Sequence, residues 1–291
     1  MELRVLRYFL TVAREENITR AAQMLHVTQP TLSRQIMQLE EELGVKLFVR
    51  SNHNIILTEA GMLLKRRAQE LVALADKTKR DFRHKAEELA GEIAIGSGEF
   101  LSTSVFSRMM GSFRQEHPLV RYQIYSGNAD NIRDSIERGL LDLGVMTEPV
   151  DIRKYDFVPM PLNEIWGVLV RTGSELAERE AVRPVPLITS AGDFVQSTFG
   201  KWFGPLYDRI NIVATGNLLY NEAMLAESGM GVVLCIRLNC TYQNLRFIPL
   251  APALETNTVL AWKKDQVFAP ATAAFIDYAR QYLSSISSDK R

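Results

Sequence analysis

Between residues 58 and 89 the chain runs without a proline, and Leu64, Ala68, Leu71, Ala75, Thr78 and Phe82 recur at spacings of 4, 3, 4, 3 and 4. That rhythm is the period of a coiled-coil seam rather than of a helix lying on a globular surface. Thr58 suits an N-cap and Glu59 the first turn. At 1.5 Å per residue the helix would be roughly 45 Å long, more than a small domain covers. It divides the chain in two and calls for another helix beside it, which a second copy of the chain supplies. Leu64, Ala68, Leu71, Ala75 and Phe82 are the expected dimerisation residues.

Ahead of this helix lie three shorter ones. Residues 3–16 place Leu3, Leu6, Phe9, Leu10 and Ala13 at helical spacing, and residues 19–25 carry Ala21, Ala22 and Leu25. Thr28 caps a third helix with Pro30 in its first turn; Leu32, Ile36, Leu39 and Leu43 face inward, and Gly44 stops it. Residues 45–49 and 54–57 suit a small hairpin. Helix, turn, helix, hairpin is the order of a winged helix-turn-helix, whose second motif helix enters the major groove of DNA. Thr28, Gln29, Pro30, Thr31, Ser33, Arg34 and Gln38 form the outward face of that helix. Arginine forks to guanine, glutamine pairs with adenine, and hydroxyls reach bases or phosphate. On helix pattern alone an ordinary polar solvent face stays open.

After Gly91 strands at 92–95, 120–125 and 141–146 alternate with helices at 102–117 and 129–138, an order that indicates a largely parallel α/β sheet. A helix, a glycine and an apolar strand occur at 132–146 and again at 222–235, which implies two similar lobes. A last helix, 270–283, is expected to return to the first lobe. Apolar residues make up 46% and charged ones 23%, and no run approaches the roughly 18 apolar residues of a membrane span. Met1, Glu2, Leu3 and Arg4 lead straight into an amphipathic helix, so a cytoplasmic protein is expected, with Cys235 and Cys240 as thiols. The net charge of zero hides an asymmetry. Residues 1–85 hold 15 lysines and arginines against 10 acids, and residues 86–291 hold 19 against 24. A basic first part attracts phosphate.

The run from Phe9 to Gly61 carries Thr19-Arg20-Ala21-Ala22, Leu25-His26-Val27-Thr28-Gln29-Pro30, Leu32-Ser33, Leu43-Gly44, Leu47-Phe48, Arg50 and Leu57-Thr58-Glu59-Ala60-Gly61. It resembles the N-terminal region of LysR-type transcription regulators. Ile95-Gly96, His117-Pro118, Gly127, Gly139 and Asp142-Leu143-Gly144-Val145 continue the resemblance more loosely. It implies a winged helix-turn-helix over residues 1–57, a linker helix over 58–89 and a two-lobed effector domain, like a periplasmic binding protein, over 90–291. The first lobe would take residues 90–160 and 266–291, the second 161–265. It further implies promoter DNA and a small effector as partners, a homodimer or homotetramer, and no cofactor. Arg50 and His53 would contact phosphate from the wing. The family commonly has arginine where His53 stands, and a proline near Cys235, where this chain continues with Ile236.

The resemblance places the effector between the lobes, where strand ends and helix N-termini meet. The matching residues are Gly98, Glu99, Phe100, Ser102 and Thr103; Ser126, Gly127 and Asn128; Thr147 and Glu148; and Thr189, Ser190 and Phe199. Ser102, Thr103 and Asn128 are expected to share its polar recognition, with NH groups of the helix from Ser102 donating to a carboxylate. Capping alone is the alternative for Ser102 and Thr103. Glu99 suits an amine-bearing or neutral ligand, or points outward. A solute-binding protein is disfavoured by the first 57 residues. An enzyme is disfavoured by the lack of a phosphate-binding glycine motif and by only four scattered histidines, His26, His53, His84 and His117.

Overall fold

The computed structural model describes residues 1–51, 54–81, 89–148, 150–151, 153–173, 185–190, 193–204 and 210–288. The chain divides into two compact units, Met1–Phe82 and Arg83–Arg291.

The first unit holds α1 (Leu3–Glu15), α2 (Ile18–Met24), α3 (Gln29–Leu43), the antiparallel pair β1 (Phe48–Ser51) and β2 (Asn54–Leu57), and α4 (Glu59–Asp81). Local chemistry sets the boundaries. Glu16 takes a left-handed φ of 50° and ends α1, and the Asn17 side chain accepts from Arg20 N at 3.0 Å to start α2. Thr28 Oγ1 accepts from Thr31 N at 3.4 Å to start α3, and Gly44 ends it at φ 69°. Leu6, Phe9, Val12, Leu32, Ile36 and Leu39 close the core, and Phe9 meets Phe48 of the hairpin at 5.3 Å. Each such side chain contributes about 1.5–3 kcal/mol by leaving water.

Glu40 joins the end of α3 to the hairpin. Its carboxylate accepts from Leu47 N at 2.9 Å, Phe48 N at 3.3 Å and Lys46 Nζ at 2.6 Å. Burial opposes its charge, but the Lys46 ammonium and the two amides outweigh that and hold the carboxyl below its ordinary value.

The structure corrects the expected seam of α4. Ala68 is fully buried in the core of its own unit and Leu64 packs against that core, so the helix is anchored within the chain. Arg7 of α1 pairs with Asp76 of α4. A Cβ on Gly61 would stand 2.2 Å from the Leu47 carbonyl oxygen, so the close approach of α4 to the hairpin requires glycine there. Leu71 and Leu74 remain 42% and 40% exposed. Ala75 is half-buried, Phe82 lies outside the described residues, and Leu89 is not helical.

The second unit runs β3 (Gly91–Ser97), α5 (Thr103–Glu116), β4 (Val120–Ser126), α6 (Ala129–Glu137), β5 (Leu143–Thr147), β6 (Tyr155–Arg171) and β7 (Pro186–Ser190). It continues with α7 (Asp193–Phe203), β8 (Asn211–Gly216), α8 (Leu219–Glu227), β9 (Val232–Ile236), β10 (Leu245–Pro249), β11 (Glu255–Lys263) and α9 (Pro270–Ser288). The strands order as β4-β3-β5-β11-β6-β9-β7-β8, with β10 beside β6. Within each lobe three strands are parallel, β4-β3-β5 and β8-β7-β9. β11 and β6 run antiparallel between them, so the sheet is mixed rather than largely parallel.

β6 belongs to both lobes. Tyr155 to Ile165 pair with β11, and from Trp166 onward the strand pairs with β9 and β10. The first lobe packs Ile93, Ile95, Phe106, Met109 and Phe113 against Phe275, Ile276 and Ala279 of α9, with Phe113 and Phe275 edge to face at 5.2 Å. The second packs Leu169, Ile188, Ala223, Ala226 and Val233. Among the described residues no helix is long and apolar enough to cross a membrane.

Candidate functional site

Two regions hold the expected functional residues. On α3, Thr28, Gln29, Pro30, Thr31, Arg34 and Gln38 are exposed and Ser33 half-exposed, while Leu32, Ile36 and Leu39 turn inward. Gln29 Nε2 donates to Ser33 Oγ at 2.8 Å, and the Thr28 and Thr31 hydroxyls lie 2.8 Å apart. The helix thus presents donors and acceptors in an ordered row backed by a rigid core. Arg50 sits on β1, opposite Ile55, and His53 lies outside the described residues.

The second region is a cavity of about 110 Å³ between the lobes. Gly98, Glu99 and Phe100 reach it after β3, Gly127 and Asn128 after β4, and Thr147 at the end of β5. From the second lobe come Ser190 at the end of β7, Asn217 after β8, Leu219 and Glu222 on α8, and Cys235 and Ile236 at the end of β9. Every parallel strand therefore delivers its carboxyl end here, the usual place for ligands in open α/β sheets. Trp166 closes the floor where β6 changes lobes; its Nε1 donates to Thr256 Oγ1 at 2.6 Å, and Phe199 packs edge-on behind it at 4.9 Å.

Six expected residues do not line the cavity. Ser102 is fully buried, its hydroxyl 2.9 Å from that of Thr258. The Thr103 and Thr189 hydroxyls are buried without a hydrogen-bond partner among the described residues. Ser126 is exposed at the end of β4, Glu148 accepts from Asn257 Nδ2 at 3.0 Å, and Phe199 stands behind Trp166. The NH groups expected to meet an effector carboxylate at the start of α5 are also taken. The buried Glu164 accepts from Leu101 N at 2.7 Å and Ser102 N at 3.0 Å. Glu99 turns into the cleft and accepts from Leu219 N, at the start of α8 in the opposite lobe, at 2.6 Å.

Sequence reasoning missed Trp166, Asp130 and Glu222 at the site. Glu222 carried a signal: in the internal echo it takes the place of Ile132, which is buried among core residues. Glu222 is 1% exposed, Ser190 Oγ donates to its Oε1 at 3.2 Å, and its Oε2 has no hydrogen-bond partner among the described residues. Burial pushes its carboxyl up, the Ser190 bond pulls it down, and Glu99 adds to the rise. Burial, with the nearby Glu222, likewise pushes up the Cys235 thiol, so this sulfur is a small core group rather than a thiolate; Cys240 is exposed.

The family model for bacterial regulatory helix-turn-helix proteins of the lysR family matches residues 3–62, and that for the LysR substrate binding domain matches residues 86–284. The chain belongs to the LysR family of transcription regulators. This LysR regulator is 29% identical over 299 residues to the Hca operon transcriptional activator HcaR of Escherichia coli strain K12, covering 99% of this chain and 100% of the relative. It is 35% identical over 149 residues to the transcriptional activator IlvY of Salmonella typhimurium, covering 51% and 50%. Full-length CbnR, solved with its target DNA, shares the fold with a TM-score of 0.70 at 20% identity, over 97% of this chain and 100% of that one. The LysR regulator thus joins a DNA-binding helix-turn-helix to a substrate-binding domain.

Proposed function

We propose that this LysR regulator reads promoter DNA through Thr28, Gln29, Thr31, Ser33, Arg34 and Gln38 of α3, with Arg50 and His53 on phosphate. A small molecule between the lobes alters their closure and, through it, the hold on the operator. Residues 1–57 serve DNA, 58–89 form the linker, and 90–291 form the effector domain, with lobes over 90–160 plus 266–291 and over 161–265. Two or four copies associate through the outer face of α4, around Leu71 and Ala75. The protein works in the cytoplasm, where its DNA lies, and catalyses no reaction.

The observation that carries this reading is the cavity at the carboxyl ends of six strands, three from each lobe, so that a ligand touching both necessarily senses their closure. The test is footprinting on DNA upstream of the protein's own gene, with and without a panel of metabolites. Protection that Arg34→Ala abolishes and that one metabolite alters is the expected result. Protection indifferent both to Arg34→Ala and to every small molecule would overturn it.

A further inference from the structure

The charge of the ligand follows from how the chain has already filled its own helix ends, given the reading of the cleft as an effector site. A carboxylate ordinarily seeks a helix N-terminus, where the first NH groups lack partners. Beside this cleft the chain supplies an acceptor of its own to the starts of α5, α6 and α8. Glu164 takes the amides ahead of α5, Asn128 Oδ1 accepts from Asn131 N of α6 at 2.9 Å, and Glu99 accepts from Leu219 N of α8. At α5 and α8 an anionic ligand would have to displace a side chain that is itself a carboxylate.

The remaining lining points the same way. Glu99, Asp130 and Glu222 are carboxylates, and among the described residues at the cavity there is no lysine, arginine or histidine. Asp130 is paired with Arg133 at 2.9 Å. Glu222 is not so paired among the described residues: its buried Oε2 has no donor there, an arrangement that costs free energy until one arrives. Around these acids the walls are apolar, with Phe100, Trp166 and Ile236.

We propose that the cleft selects a small molecule carrying an ammonium group, which donates to Glu222 Oε2 beside Glu99 while a short apolar body packs on Phe100, Trp166 and Ile236. The ammonium supplies the missing donor and offsets the acidic lining, and desolvation by the apolar walls strengthens the pair. A carboxylate of the same size meets like charge from Glu99, Asp130 and Glu222.

The test uses the full chain and two sets of matched probes, butylamine with butyrate and 1-butanol, and cyclohexylamine with cyclohexanecarboxylate and cyclohexanol. Ligand-observed NMR and calorimetry measure binding. The amine of each set is expected to bind at least tenfold more tightly than its partners, and Glu222→Gln to weaken it tenfold or more at an unchanged melting temperature. Glu99→Gln is expected to weaken it less, and it carries the test if Glu222→Gln does not fold. Preference for the carboxylate, amine binding unchanged in both variants, or binding of no probe would each overturn the proposal. Gel shifts on the upstream DNA with the same samples separate the two readings. Retained DNA binding without amine preference removes only the ligand class, whereas absent DNA binding removes the regulator reading.

Discussion

Thr103 carries a hydroxyl that is buried with no hydrogen-bond partner among the described residues, so its polarity costs stability where it stands. Thr103→Val is expected to hold or raise stability by up to about 1 kcal/mol in thermal melts. A loss of that size would mean the hydroxyl has a partner. Arg34 stands on the exposed face of α3, where Arg34→Ala should weaken specific DNA binding by about 1–3 kcal/mol and leave the melting temperature alone. Unchanged affinity in a gel shift would remove α3 from base recognition. Glu40 tests the wing. Its carboxyl is held low in the folded state, so its contribution is complete above the ordinary glutamate value of about 4.5 and fades as the pH falls through the lowered one. Glu40→Gln should therefore cost about 1.5–3 kcal/mol near neutrality and progressively less in acid. Equal losses at pH 7 and pH 3 would show that the charge itself does not matter.

At the scale of elements, α4 sorts the heptad residues into two groups. Ala68 holds the helix to its own core, whereas Leu71 and Leu74 are exposed and available to another copy. Leu71→Glu should shift sedimentation toward the single chain without lowering helix content, since a charge in a dimer seam is desolvated without a partner. An unaltered assembly would place self-association elsewhere. The helices of the first unit were legible in the sequence because caps and stops such as Thr28 and Gly44 act locally. β6 was not. It holds Pro159 and Pro161, which read as strand breakers, and its buried positions do not alternate, because the strand passes from one lobe to the other. The site divides along the same line. Gly98 to Phe100, Asn128 and Thr147 follow strand ends legible in the first lobe's alternation, whereas the family resemblance alone carries Ser190. Trp166 and Glu222 depend on pairings over long separations, and Ser102 looks like a ligand contact until Glu164, sixty-two residues on, is seen to occupy its amide.

For the whole molecule, two compact units with separate cores should melt in two steps. Calorimetry is expected to show Glu40→Gln lowering one transition and Glu164→Gln, which uncaps α5, lowering the other. A single transition moved by both variants would mean that the units unfold together. One further consequence comes from α9. The core of the first lobe joins β3, at the start of the second unit, to Phe275, Ile276 and Ala279, close to the end of the chain. A nascent polypeptide emerges at about 5–20 residues per second, and domains fold as units once complete. The second lobe, continuous in sequence, can form while the ribosome is still at work. The first must wait for the final helix to clear the exit tunnel. The cavity needs both, so a newly made regulator gains the capacity to sense only once α9 has emerged, some two hundred residues after its DNA-reading part.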